Sequence, residues 1–253
     1  MNYANLSWKE IESLPKDTLF FLTIGPMEAH GPHLPLSTDF LIAKKVEEKV
    51  IKILEERNEK CFSLPSLPIG TCKYLKDFPG TISISWKILY KMLVNIFKEL
   101  SKNDFKYVII CNFHMDFFHL KAIHKAIKKA RKFGLIACEP ISIYYFKGEL
   151  FEKMEGEIHA DIKETSLALY LFPEKVKDYK IKDFKIKIGL FNALKNFKEI
   201  ASEAYIGSPS KASPEYGKKL FEKIVSKCLE AINILRDGKK LEMPFKLKIL
   251  LEI

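Results

Sequence analysis

The chain has 253 residues, 47% of them hydrophobic and 29% charged, which is enough apolar material for a full core and excludes a disordered or collagen-like chain. Its formal net charge of +10 is carried by lysine, because Arg57, Arg131 and Arg236 are its arginines, and scattered lysine suits a solvated surface better than bidentate phosphate or base recognition. Composition therefore predicts no nucleic-acid partner, and the lack of a run of about 18 apolar residues predicts no membrane span.

The opening residues Met1 to Trp8 lack a basic segment followed by an apolar one, so a cytoplasmic protein is expected. Cys61, Cys72, Cys111, Cys138 and Cys228 form no Cys-x-x-Cys pair and are odd in number, which argues against a disulfide framework and a thiolate zinc site. They read as reduced and structural, with Cys111 as a buried strand cysteine.

Short β-rich runs alternate with longer amphipathic ones, the pattern of an α/β protein with a mainly parallel, doubly wound sheet flanked by helices. Leu19 to Ile24 reads as a buried strand closed by Gly25-Pro26, and a helix follows from Asp39 to Arg57 with Ser37, Thr38 and Asp39 as capping candidates. Phe62 to Gly70 reads as a second strand, pushed towards an edge by its prolines. Helical spacing covers Trp86 to Lys102, and a β-branched run covers Tyr107 to Cys111.

The next helix passes through Leu120, Ile123, Ile127 and Ala130 and ends at Gly134, after which Leu135 to Tyr145 repeats the strand signal. Helices are predicted at Ile162 to Leu171 and Pro214 to Arg236, and Phe245 to Leu251 alternates in the manner of an edge strand. No repeat or Ser/Gly linker divides residues 1–253, so one domain is expected, with the lysine-rich stretch Lys175 to Lys198 read as an insertion or an oligomer contact.

Ligands of parallel α/β sheets sit beyond the carboxyl ends of the strands, which directs attention to the loops after the apolar runs. In the loop after the first strand, Glu28 and His30 project to one side of an extended segment, and the Gly-Pro turns that follow can bring Asp39 alongside them. His114 and Asp116 share a face in the same way after Cys111. Two imidazoles and three carboxylates suit two divalent ions with a bridging carboxylate better than one closed structural zinc site. His159 and Glu164 stand at the start of a helix, where Glu164 serves as ligand or base and His159 as proton donor, or where both belong to a helix cap. His33 is read as a residue that merely hydrogen-bonds or orients a ligand, and His119 and His124 as packing or surface residues of their helix.

The segment Gly25-Pro26-Met27-Glu28-Ala29-His30-Gly31-Pro32-His33-Leu34-Pro35-Leu36-Ser37-Thr38-Asp39 resembles the signature loop of the creatininase (creatinine amidohydrolase) family. Phe78-Pro79-Gly80-Thr81, Asn112-Phe113-His114, His159-Ala160, Glu164-Thr165-Ser166 and Gly207 to Ser213 are similar to later family segments in the same order. The resemblance implies a two-metal hydrolase of non-peptide C–N bonds in a small molecule, often a homohexamer. It implies Glu28, Asp39 and His114 around one ion and His30, Asp39 and Asp116 around the other; carboxylate and imidazole ligands accept zinc, iron or manganese.

It also implies that His159 assists collapse of the tetrahedral intermediate and that Glu164 is a carboxylate of the same site. Creatinine-hydrolysing members carry glutamate where Asp116 stands and sandwich a flat substrate between tryptophans. This chain has only Trp8 and Trp86, with Tyr144, Tyr145 and Phe146 as replacement stacking surfaces. The archaeal formamidopyrimidine-nucleotide deformylase branch therefore fits better than a creatinine hydrolase or a mycofactocin-type peptidase. The reading of a different class is a non-catalytic metal-binding oligomer, its site crowded by Phe113, Asp116 and Phe117.

Overall fold

The computed structural model describes residues 1–186 and 197–252. Four parallel strands, β1 (Leu19–Ile24), β2 (Cys61–Ser63), β3 (Tyr107–Asn112) and β4 (Ile136–Cys138), form a sheet in the order β2-β1-β3-β4. Helices α1 (Trp8–Glu12), α2 (Thr38–Glu56), α3 (Trp86–Ser101), α4 (Phe117–Ala130), α5 (Pro140–Lys147), α6 (Ile162–Leu171), α7 (Phe197–Ile200), α8 (Pro214–Arg236) and α9 (Phe245–Glu252) surround it.

Because successive side chains of a strand alternate between faces, β1 and β3 feed two cores. Leu19, Phe21, Ile109 and Cys111 pack with the apolar sides of α2, α6 and α8, while Phe20, Leu22, Ile24, Val108 and Ile110 pack with α3 and α4. Both faces are thereby covered, which is why these strands are continuously hydrophobic. Among the described residues no helix is long and apolar enough to cross a membrane.

Strand β1 pairs with β3 from Leu19↔Tyr107 to Ile24↔Asn112, so the two strands end level with one another. The chain crosses from β1 to β2 on one side and returns to β3 on the other. The crevice beyond Ile24 and Asn112 is therefore the topological switch point of the sheet, where such folds bind ligands.

Three predicted segments differ. The run Phe62 to Gly70 pairs as a strand only at its beginning and continues through single bridges, Ile24↔Leu67 and Gly70↔Ser83, because Pro65 and Pro68 have no N–H to donate. Leu135 to Tyr145 divides into β4 and α5, since Glu139 accepts from Ser142 N–H as an N-cap and Pro140 occupies the first helical position. The expected edge strand at the tail is the helix α9: Leu247 and Leu251, four residues apart, meet the Leu120 and Ile143 cluster while Phe245 and Ile249 are exposed. Of the lysine-rich stretch, residues 187–196 lie outside the described residues, so its reading as an insertion or contact does too.

Candidate metal centre

Three segments meet at the crevice. Beyond β1 the chain runs through Glu28 and His30 and turns back, with Glu28 N–H donating to Leu36 O at 2.8 Å, before α2 begins with Asp39 in its first turn. Gly25 permits that return: a Cβ there would lie 2.8 Å from the Phe40 Cα, so only glycine lets the start of α2 approach the end of β1. Beyond β3, the Asn112 side chain accepts from His114 N–H at 3.1 Å and donates to His114 O at 3.0 Å, holding the histidine over the sheet end.

The third segment precedes α6, where Ala160 has φ +46°. That left-handed turn, uncommon for a residue with a Cβ, lets His159 face the crevice while Asp161 caps α6 by accepting from Lys163 and Glu164 N–H.

Each of the three site histidines gives one ring nitrogen to a backbone carbonyl. His30 Nδ1–H donates to Glu28 O at 2.9 Å, His114 Nε2–H to Thr71 O at 3.0 Å and His159 Nε2–H to Ala29 O at 2.8 Å. A carbonyl only accepts, so these contacts fix where the ring protons sit. The remaining nitrogens face carboxylates. His114 Nδ1 is 2.9 Å from Asp39 Oδ2 and 3.1 Å from Glu28 Oε2; His30 Nε2 is 3.5 Å from Asp39 Oδ1 and 3.8 Å from Glu164 Oε2; His159 Nδ1 is 4.0 Å from Glu164 Oε2. Asp39 thus turns one oxygen to each of two histidines.

At His30 and His114 a neutral imidazole would point a lone pair at these carboxylates, so both positions call for positive charge, either a second ring proton or a metal ion. For His30, burial opposes the charged ring, but Asp39, Glu164 and Glu28 overturn that effect and raise it to about 10. His114 is lifted well above the ordinary histidine range by Glu28 and by its bond to Asp39, again against burial. Burial, reinforced by the neighbouring positive His30, holds His159 down to about 3 and keeps it neutral. Burial raises Glu28, and it raises Glu164 to about 8. Asp39 stays ionised well below its usual range because His30 and His114 outweigh its burial.

The residues fit divalent metal. Glu28 Oε2 and His30 Nε2 are buried without a hydrogen-bond partner, and a ring nitrogen opposite a carbonyl-bound N–H is the usual arrangement of a metal-ligating histidine. Among the described residues, two clusters have ligand atoms all within 4.8 Å of one another, Glu28–Cys72–His114 and His30–His159–Glu164. Asp39 lies between them.

The structure therefore brings Glu28, His30, Asp39, His114, His159 and Glu164 together. Asp116 lines the same cleft but belongs to neither cluster: Asp116 Oδ1 accepts from Phe118 N–H at 2.7 Å and His119 N–H at 3.2 Å as the N-cap of α4, and Oδ2 accepts from Lys73 N–H at 2.9 Å. Glu164 faces His30 and also accepts from Ala160 N–H at 2.6 Å. His33 bonds Thr165 Oγ1 at 2.9 Å at the base of α6, and His119 is packed under Gly70 and Thr71.

A cleft opens over these groups. Tyr74, Tyr145, Phe146 and Phe197 line it. Tyr144 instead is buried and donates to Glu230, while Trp8 is exposed at the surface and Trp86 packs beneath Lys121 and Lys125.

The sequence model of the Creatininase family, described as creatinine amidohydrolase, matches residues 4–232. This chain belongs to the creatininase family. It is 26% identical over 198 residues to a creatinine amidohydrolase of Pseudomonas putida, covering 68% of this chain and 72% of that protein. It is also 26% identical over 220 residues to a mycofactocin precursor peptide peptidase of Mycolicibacterium smegmatis, covering 85% and 84%. Solved creatininases, one described with Mn and one mutant of Zn-Zn type, superpose with a TM-score of 0.71 at 23% identity over 91% of this chain and 96% of theirs. The fold is that of the creatininases, and the chain is a hydrolase of this amidohydrolase family.

Within the creatininase fold, Cys72 and Phe197 are among the lining residues that sequence reasoning missed. Cys72 lies in the loop that leads from the second apolar run to Phe78-Pro79-Gly80-Thr81, and its position beyond a strand end was the available signal. Phe197, whose ring meets His159 edge-on at 5.6 Å, follows the lysine-rich stretch and has no local signal.

Proposed function

We propose that this creatininase-family hydrolase cleaves an amide-type C–N bond of a small molecule using two divalent ions, zinc, iron or manganese. Glu28, Asp39 and His114 hold one ion, and His30, Asp39 and Glu164 hold the other. The observation that carries this reading is the locked histidine pair: His30 and His114 each commit one nitrogen to a carbonyl and turn the other towards a different oxygen of Asp39. Bound divalent ions supply Lewis acidity towards a carbonyl and towards water.

The protein's own groups do the rest. His159, its Nε2–H fixed on Ala29 O, has Nδ1 free to take a proton from the attacking water and return it to the departing nitrogen. Glu164 stands at the same nitrogen. Phe197, Tyr74, Tyr145 and Phe146 form the apolar wall that excludes bulk water from the bond being cleaved.

For the substrate, the reading favours deformylation of a formamidopyrimidine nucleotide, as in flavin or deazaflavin biosynthesis. Supporting it are single tyrosine and phenylalanine faces in the cleft, with Trp8 and Trp86 outside it, and a lysine-rich chain suited to a phosphorylated compound. The named relatives supply the second reading, a cyclic amide of the creatinine kind or a peptide. A substrate panel run on protein loaded in turn with zinc, iron and manganese separates them. Formate release from the nucleotide is the expected result; opening of creatinine or cleavage of a peptide, with no formate, would replace it.

A further inference from the structure

The mechanism above gives the cleft thiol of Cys72 no work. Cys72 is buried, and its sulfur, a Glu28 oxygen and a His114 ring nitrogen lie within 4.8 Å of one another. The other four cysteines, Cys61, Cys111, Cys138 and Cys228, are packed into the apolar core under α2, α6 and α8.

The loop that carries Cys72 is pinned at three successive amides. Thr71 N–H donates to His119 Nδ1 at 3.2 Å, Cys72 N–H to Ser83 Oγ at 2.9 Å and Lys73 N–H to Asp116 Oδ2 at 2.9 Å. On the same loop Thr71 O receives the Nε2–H of His114 at 3.0 Å. The backbone is thus fixed on both sides of the thiol and tied directly to the histidine beside it. A second observation points to a ligand at this place: Glu28 Oε2, buried and aimed into the same cluster, has no hydrogen-bond partner.

We propose that Cys72 binds through its sulfur the ion held by Glu28 and His114. This rests on the metal-site reading given above. A thiolate beside a carboxylate and an imidazole makes that position softer than an all-oxygen and nitrogen one, so it favours zinc or iron(II) over manganese. The thiol proton leaves to solvent as the ion binds, because the ligand is the thiolate. Asp116, through Lys73 N–H, is then a positioning residue for the sulfur.

Cobalt(II) reads the two claims separately. Full-length protein stripped of metal and reloaded with cobalt is expected to show visible ligand-field bands from the ion and a near-ultraviolet thiolate-to-cobalt charge-transfer band from the sulfur. Cys72→Ser and Cys72→Ala, checked for native circular dichroism, are expected to keep the visible bands and lose the near-ultraviolet one. Visible bands in the parent protein without charge transfer overturn the sulfur ligand and leave the metal site standing. A charge-transfer band that survives in either variant also overturns it. Cobalt that fails to remain bound through dialysis overturns the metal-site reading and this inference together. Because the first measurement is made on the parent protein, the outcome does not depend on either variant folding.

Discussion

Asp39 sits where two histidines need the same carboxylate, one at each oxygen, and its place in the first turn of α2 keeps it there. Asp39→Asn keeps the size and removes the charge, so both metal positions lose a shared ligand. Hydrolysis is expected to fall by at least about a hundredfold, with metal content reduced, while far-ultraviolet circular dichroism stays native. Retained activity at parental metal content would sink the bridging role. Asp116 gives the opposite expectation. Its oxygens are engaged by the amides of Phe118, His119 and Lys73, so Asp116→Ala should lower stability by about 1 kcal/mol through the lost cap, yet leave two ions bound. Loss of one ion, measured by elemental analysis of the folded variant, would return Asp116 to the ligand set.

At the scale of elements, the site depends on α6 being held at a fixed height, because Glu164 and the turn at Ala160 precede or begin it. That height is set by α8, which crosses α6 at Gly217: a Cβ there would lie 1.9 Å from the Ser166 carbonyl oxygen, a backbone atom that cannot move aside. Gly217→Ala should therefore cost about 1–3 kcal/mol or more and lower the thermal midpoint by several degrees, as scanning calorimetry would show. An unchanged midpoint would mean that the two helices are not locked together.

The elements around this crossing were legible from sequence because β1 and β3 are buried on both faces and read as unbroken apolar runs, and because α2, α6 and α8 carry periodic stripes. The loops bearing Glu28, His30, Asp39 and His114 were legible for the same reason, since each follows a clear strand. Where local signals compete, the sequence is ambiguous. Pro65 and Pro68 interrupt an otherwise strand-like run. Phe245, Leu247 and Ile249 alternate although Leu247 and Leu251 bury as a helix. The spacing of Asp116 from His114 fitted a ligand, and only the fold shows three amides waiting for its oxygens. Cys72 was missed because β2 is only three residues long, which leaves the position beyond its end a weak signal.

Across the whole molecule, the cleft gathers side chains from the loop after β1, from α2, from the loop after β3 and from α6. Glu28, Asp39 and Glu164 are held close together away from bulk water and are mutually unfavourable without cations among them. Ions bound there join four elements and exist as a site only in the folded chain, so binding adds directly to folding stability. At an ion concentration about a hundred times the dissociation constant the gain is about 2.7 kcal/mol. For a chain of this size each kcal/mol moves the thermal midpoint by about 2–4 °C, so chelation should lower it by roughly 5–10 °C and readdition of zinc should restore it. Asp39→Asn should show almost none of this shift, because the ligand shared by both ions is gone. A chelator-induced drop that persists undiminished in Asp39→Asn would place the stabilising metal elsewhere in the molecule, and no drop in the parent protein would mean that the cleft's charge is balanced by protonated His30 and His114 alone.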